Sequence, residues 1–409
     1  MNHVEGGVCA PLGFKAGSTW VGIKASNKEK DDLAMLFCEE PCVCAGTFTT
    51  NVVKAAPVKW DRKVIDESDD VRAIVINSGI ANAATGERGM KNCAEIAKGL
   101  SAVSGLREDE ILCASTGVIG PTLPVAKILE GIEKIYPALD RSAEKANNAA
   151  VAIMTTDTHP KEVSVKVNIS GKDVTIGGMC KGSGMIHINM STMLSFITTD
   201  ADISKEMLTK ALTNVVKDTY NMVSVDGDTS TNDTVIIMAN KMANNEKITT
   251  ENEDYSKFYE ALYVVCSELA KNIAKDGEGA TTLIETRVLN AASKDMARKL
   301  AKSVISSSLT KAAIFGKDAN CGRILCALGY AGVDFDIEKV NVYYESKNGR
   351  IMMVEKGVVL EFDEDYAYKV LDSDEVAIIC DMNAGKEDAI AWGCDLTYEY
   401  VKINADYRS

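Results

Sequence analysis

The sequence predicts an α+β protein built from stacked layers of mixed sheets and helices, and three observations carry that prediction. Runs rich in β-branched residues recur along the chain, amphipathic helical stretches lie between some of them, and the two do not alternate in the strict strand-helix order of a doubly wound parallel sheet. At 409 residues the chain exceeds the roughly 100 to 200 residues of one domain, so two or three packed units are expected. No internal repeat is visible.

The strand-like runs, in order, are Val71 to Asn77, Glu162 to Asn168, Asp173 to Met179, Met193 to Thr198, Thr234 to Met238, Thr281 to Val288, Val340 to Glu345, Val376 to Cys380 and Leu396 to Ile403. Ser170-Gly171 separates two of them so closely that a hairpin is the natural connection. Helices are expected from Gly89 to about Val103, over Val125 to Met154 with an interruption at Pro137, and over about 252 to 274. In the last of these, Tyr255, Phe258, Leu262, Val265, Leu269 and Ile273 recur three or four apart and form one apolar stripe. Another helix begins at the cap residue Ser293 and turns Met296, Leu300, Val304 and Ile305 inward. Loops rich in Gly, Asn and Asp concentrate at Asn77 to Gly89, Asp226 to Asp233 and Lys317 to Arg323, the kind of segment on which sites are built.

Composition narrows the function classes. A formal net charge of -14 repels a phosphate backbone, and no basic cluster with interleaved aromatics offsets it, so nucleic acid is not expected as a partner. The first 18 residues lack a basic region followed by a long apolar run, and no stretch of about 18 uncharged apolar residues occurs, so a cytoplasmic protein with no membrane partner is expected. The 12 cysteines contain no Cys-x-x-Cys pair, which favours reduced, buried thiols. Cys42 and Cys44, two apart in an apolar run, point to one face of a sheet and have a packing role. Three histidines, His3, His159 and His187, leave little material for a histidine-based triad or a metal site. Asp226, Asp228 and Asp233 lack the full spacing of a calcium loop, and the glycines at 177–184 lack Walker A order, so neither a metal nor a nucleotide phosphate is expected.

The chemistry concentrates at Lys181-Gly182-Ser183-Gly184-Met185 and at Asn189-Met190-Ser191-Thr192-Met193-Leu194. Thr192 stands where a glycine-containing loop meets the apolar run Met193 to Ile197. A threonine hydroxyl is a weak nucleophile until a base takes its proton, and a free α-amine with a pKa of about 7.7 to 8 does so from the same residue. That amine exists only after the chain is cut before Thr192. Read from the residues alone, Thr192 is better taken as an ordinary β-branched residue opening a strand.

A longer series of matches gives the segment its context. It runs through Gly6-Gly7-Val8, Phe48-Thr49-Thr50-Asn51, Asn77-Ser78-Gly79 with Ala81-Asn82-Ala83, and Ser115-Thr116-Gly117-Val118-Ile119-Gly120. It continues with Met154-Thr155-Thr156-Asp157-Thr158, Lys181 to Leu194, and Ser224 to Asp233. It closes with Asp276-Gly277-Glu278-Gly279, Asp318 with Asn320, Gly322 and Arg323, and Asn404 with Ser409. In these motifs and their order, nearly the whole chain resembles the ornithine acetyltransferase (glutamate N-acetyltransferase) family of arginine biosynthesis.

The resemblance implies an N-terminal-nucleophile-like fold and autocatalytic cleavage between Ser191 and Thr192. The products would be an alpha chain, 1–191, and a beta chain, 192–409, associated as a heterotetramer of two each. It implies Thr192 as the nucleophile and Thr116 with Gly117 as the oxyanion hole. The implied substrate contacts are Thr155, Lys181, Thr192, Glu278, Asn404 and Ser409, with Lys181 on the substrate carboxylate and Glu278 on the ornithine ammonium. The implied reaction carries acetyl from N2-acetyl-L-ornithine to L-glutamate, by ping-pong through an acetyl-threonine. No cofactor is implied; some relatives also take acetyl-CoA as acetyl donor. The chain departs from the family at Ser191, where alanine is usual, at Ile188, where proline is usual, and at Cys321, where tryptophan is frequent. Loss of the proline loosens the loop that holds the scissile carbonyl and bears on the cleavage rate.

Two other readings stay open at this point. Water admitted to the acyl-enzyme would give an amidase or aminopeptidase on the same scaffold. The departures at Ser191 and Ile188 would also suit an unprocessed paralogue that binds without catalysis.

Overall fold

Ser170 and Gly171 have φ of 49° and 77°, the two positive values of a tight hairpin turn whose twist suits the strands it joins. The hairpin is therefore formed as the sequence predicts, in a computed structural model that describes residues 1–23, 30–187 and 193–406. The chain divides into two units. The first comprises Met1–Gly182, Asn189–Val216 and Thr229–Leu269; the second comprises Ser183–Ile188, Lys217–Asp228 and Ala270–Ser409. The architecture is α+β, with mixed sheets and helices in both units.

The strands, in chain order, are β1 (Asn2–His3), β2 (Phe14–Thr19), β3 (Leu33–Phe48), β4 (Val71–Asn77), β5 (Ile111–Ser115), β6 (Lys161–Ile169), β7 (Lys172–Lys181), β8 (Leu194–Thr199), β9 (Val223–Ser224) and β10 (Thr234–Ala239). All but β9 form the sheet of the first unit, in the order β1-β6-β7-β8-β10-β3-β4-β5 with β2 paired to β3. Strand β3 serves two sets of neighbours: its first half pairs with β2 and β4, and its second half, Val43 to Phe48, pairs with β10. β7 and β8 are antiparallel, with Lys181 opposite Leu194, so the last residue of β7 and the first of β8 are neighbours in the sheet. Cys42 and Cys44 are both buried in one apolar cluster with Phe196 and Ile236, which is the packing role their spacing predicts.

The expected long helix over 125–154 is two. Val125–Ile135 ends in a single tight turn, Tyr136–Ala138, that contains Pro137, and Ser142 caps the next helix, Ala143–Ala152, through the Lys145 amide. The stripe from Tyr255 to Ile273 is buried along the helix Glu253–Lys275 as its spacing requires. Burial of such a leucine is worth about 2–5 kcal/mol against alanine.

The sheet of the second unit consists of β9 with β11 (Leu283–Ala291), β12 (Asn341–Ser346), β13 (Gly349–Glu355), β14 (Val358–Val359), β15 (Glu375–Asp381) and β16 (Glu387–Cys394), in the order β14-β13-β12-β15-β11-β16-β9. The Ser293 hydroxyl caps the helix Lys294–Ser306 through the Met296 amide, and Asn320 caps Cys321–Gly329 through the Arg323 amide. In the first of these helices Ala297, rather than Met296, joins Leu300, Val304 and Ile305 in the core.

One element contradicts the sequence reading. Leu396 to Ile403, expected as a strand, contains most of a helix, Tyr398–Ala405, none of whose residues is buried. No core face dictates a period there. The bonds that seat the segment come from Thr397, Tyr400 and Asn404, and the last two lie one helical turn apart on one face.

Candidate active site

In the first unit, β7 ends at Lys181, a lysine that is only 2% exposed. Its Nζ donates to Thr155 Oγ1 at 2.8 Å and lies 3.5 Å from Thr116 Oγ1, so three residues distant in sequence meet at one ammonium. Asp157 lies 3.8 Å from the same nitrogen and accepts from Lys161 Nζ at 2.8 Å, from the Gly182 amide at 2.6 Å and from the Thr155 amide at 3.0 Å. Burial by itself would raise the Asp157 pKa; the charges of Lys181 and Lys161 and the bonds from Lys161 and Gly182 overcome it and hold the carboxyl below the usual carboxylate range. Lys30, which donates to the Met154 carbonyl, is pushed down to about 8, chiefly by burial. Two buried lysines thus meet one aspartate.

The Thr116-Gly117 turn is set by backbone needs. Gly117 has φ of 128°, and a Cβ there would meet the Gly79 carbonyl carbon at 2.2 Å. The Thr116 amide donates to the Asn77 carbonyl and the Val118 amide to the Gly79 carbonyl. Among the described residues the Gly117 N–H has no acceptor. Asn232 anchors the turn from below, donating to the Ala81 carbonyl at 2.6 Å and to the Ser115 carbonyl at 2.7 Å. Three of the motifs noted in the sequence are therefore parts of one hydrogen-bonded loop cluster.

Next in sequence after residues 188–192, Met193 donates its amide to Asp233 Oδ1 at 3.2 Å, and its carbonyl accepts from the Thr234 amide at 3.1 Å. The Asp233 carboxyl is pushed well above the usual range, first by burial, against the lowering influence of the Met193 amide, the Thr49 hydroxyl and the Lys181 charge.

In the second unit, Glu278 is buried and accepts from Asn404 Nδ2 at 2.7 Å, while its amide donates to the Ser183 carbonyl at 2.8 Å. A Cβ at Gly184 would come within 2.4 Å of both carboxylate oxygens, so only glycine lets the loop pass the acid. Asp226 accepts from the Met185 amide at 2.6 Å, the Ile186 amide at 2.9 Å and the Tyr400 hydroxyl at 3.2 Å. Burial raises the Asp226 pKa, and burial with the Asp226 charge raises that of Tyr400. His187 Nδ1 lies 3.0 Å from Ser224 Oγ, and burial lowers its pKa.

Of the residues expected at the site, Thr116, Gly117, Thr155 and Lys181 belong to the first unit, where the two threonines meet Lys181, and Glu278 and Asn404 are paired in the second. Thr192, Ser191 and Ser409, with Ile188, lie outside the described residues. Sequence reasoning missed the structural parts played by Asp157, Lys161, Asp226, Tyr400 and Asp233. A signal for Lys161 existed: it shares the inward face of β6 with Val163, Val165, Val167 and Ile169, where a charge is out of place unless it is paired.

The ArgJ family model matches residues 15–409. The chain is 51% identical over 409 residues, all of both chains, to the arginine biosynthesis bifunctional protein ArgJ of Caldanaerobacter subterraneus subsp. tengcongensis. It is 52% identical to the arginine biosynthesis bifunctional protein ArgJ 1 of Clostridium acetobutylicum, covering 97% of this chain and 96% of that one. A crystal structure of the ArgJ protein of Bacillus halodurans is 44% identical over 51% of this chain and 97% of its own, with a TM-score of 0.49.

Proposed function

The chain belongs to the ArgJ family, and from that premise we propose how its residues carry acetyl from N2-acetyl-L-ornithine to L-glutamate. It is an acyltransferase of arginine biosynthesis acting on small molecules, and the steps below assign its groups. The observation that carries the assignment is the buried Lys181 ammonium, which the sheet holds against Thr155 and Thr116. A fixed cation at that point suits the substrate carboxylate. Glu278, oriented by Asn404, takes the ornithine ammonium, and Ser409 completes the set of contacts.

The chain cuts itself between Ser191 and Thr192. The Thr192 hydroxyl attacks the Ser191 carbonyl, the C–N bond breaks to free the α-amine as the ester forms, and water then hydrolyses the ester, leaving a carboxylate on Ser191 and restoring the Thr192 hydroxyl. The sheet supports continued association of the products: β8 and β10 of the 192–409 chain would stand between β7 and β3 of the 1–191 chain, hydrogen-bonded on both sides. Two such pairs form the heterotetramer.

In transfer, the α-amine takes the Thr192 hydroxyl proton, the oxygen adds to the acetyl carbonyl, and the oxyanion is met by the Gly117 N–H and the Thr116 hydroxyl. A fixed donor at that point is worth about 2.7 to 4 kcal/mol. Ornithine leaves, glutamate enters the same site, and the acetyl passes to its amine. The chain needs no cofactor; acetyl-CoA is an alternative acetyl donor.

Initial-rate kinetics test the scheme. Parallel double-reciprocal lines for N-acetylornithine and glutamate are expected, and intersecting lines would point to a ternary complex instead. Acetate release from N-acetylornithine without glutamate, if dominant, would replace transfer by hydrolysis.

A further inference from the structure

Strand β3 carries three cysteines, Cys38, Cys42 and Cys44, and the reaction scheme uses none of them. Between the first two, the ladder to β4 slips: Phe37 lies opposite Ala73, but Cys42 lies opposite Val71. Arg72, between those two β4 partners, therefore faces a bulge, and its Nε donates to the Cys38 carbonyl at 3.2 Å. Glu39, Glu40 and Pro41 form the exposed arch of this bulge, whereas Cys38 and Cys42 at its two feet are buried in one apolar cluster.

The neighbours of the two sulfurs show that they meet. The pairing of β10 with β3 reaches Ala239 opposite Val43, so Asn240 follows beside Cys42, and its Nδ2 donates to Cys38 Sγ at 3.3 Å. The Cys42 thiol has two acceptors within reach, the Glu40 carbonyl at 3.5 Å and Cys38 Sγ, and Cys38 Sγ also accepts from the Glu40 amide. The feet of the bulge stand against consecutive β4 residues, whose Cα atoms are about 3.8 Å apart, so the roughly 4.4–6.8 Å Cα spacing of a disulfide is within local adjustment. We propose that Cys38 and Cys42 are a modification site, a dithiol that a peroxide converts reversibly to a disulfide, with Cys38 oxidised first and Cys42 resolving it.

The step balances. Cys38 Sγ attacks one peroxide oxygen, the O–O bond breaks, and the sulfur becomes a sulfenic acid while the other oxygen leaves as water with the thiol proton. Cys42 Sγ then bonds to Cys38 Sγ, the S–O bond breaks, and that oxygen leaves as water with the Cys42 proton. The two thiols lose two electrons in all, and one peroxide becomes two waters. The order of attack follows from the surroundings. The Cys42 hydrogen bond, with those of Asn240 and Glu40 and the Arg72 charge, holds the Cys38 thiol below its usual range against burial, whereas burial pushes Cys42 well above it. Local opening of the exposed arch gives a peroxide-sized reagent its path.

The test is a cysteine map of the folded full-length protein after limited hydrogen peroxide, with remaining thiols alkylated in denaturant and peptides read by mass spectrometry. Cys326 is exposed, so oxidation governed by exposure alone would strike it first. The expected result is a Cys38–Cys42 crosslink, two hydrogens lighter and undone by dithiothreitol, formed about tenfold faster than oxidation at Cys326. Cys38 and Cys42 both still alkylated once Cys326 is oxidised would overturn the proposal, as would a crosslink of either one to another cysteine. Cys42→Ser adds a second reading: Cys38 should then stop at the sulfenic acid and be trapped by dimedone, and a folded variant with no adduct at Cys38 would contradict the assigned order. If the variant does not fold, the wild-type map decides alone.

Discussion

The two units hold their charged groups in opposite ways. The first keeps Lys161 and Lys181 on core strands, both at most 2% exposed, with Asp157 as shared partner, so the geometry of its charges is fixed by the sheet. The second presents Glu278 and Asp226, met by Asn404 and Tyr400 from a helix that buries no residue. The cation site is thus set by packing, whereas the partners of the anion site are held by a few hydrogen bonds on a surface helix. Substitutions in the first unit should therefore separate stability from activity sharply, and those in the second should act mainly on substrate affinity.

The largest expected effect is that of Asp157→Asn, which leaves two buried ammonium groups without their anion. Urea unfolding should show a loss of about 3–5 kcal/mol. The pH dependence has a definite sign. Because the folded pKa is depressed, the wild-type contribution is full above the unfolded value of about 3.9 and is lost as the pH falls towards the lower folded value. The variant should lack that acid-side decline.

Lys181→Met makes the opposite test, since it leaves the neutral Lys161–Asp157 pair in place. Activity should fall by about 2–5 kcal/mol in kcat/KM for N-acetylornithine, while the melting temperature holds or rises. A variant that loses stability and keeps activity would reverse the comparison. Glu278→Gln should cost about 1.5–3 kcal/mol in kcat/KM, seen chiefly as a higher KM, with little change in melting. The smallest effect is expected at Asn404→Ala, about 0.5–1.5 kcal/mol in KM and within about 0.5 kcal/mol in stability. Unchanged kinetics there would remove Asn404 from the site.

What the sequence made legible follows the same division. The Ser170-Gly171 hairpin, the stripe from Tyr255 to Ile273 and the strand Val71–Asn77 were readable because one buried face imposes a period. The Tyr398–Ala405 helix was not, because no core face sets its pattern and Tyr398 is 84% exposed. Lys181 and Glu278 were singled out only through motif resemblance, since a single charge in a sequence reads as surface, whereas both are buried. That Asp157 would bind Lys161 and the Gly182 amide together depends on where β6 and β7 begin and end, which spacing does not fix. The contacts of Asp226 with Met185, Ile186, Asp228 and Tyr400, and of Asp233 with Met193, are likewise products of tertiary structure.

Mass spectrometry of the purified protein after a short exposure to N-acetylornithine, with no glutamate present, addresses the central claim most directly. The account predicts two chains, the second beginning Thr-Met-Leu-Ser and carrying one acetyl group on its first residue. A single uncut chain that nevertheless transfers acetyl, or an acetyl group found on any residue other than Thr192, would contradict it.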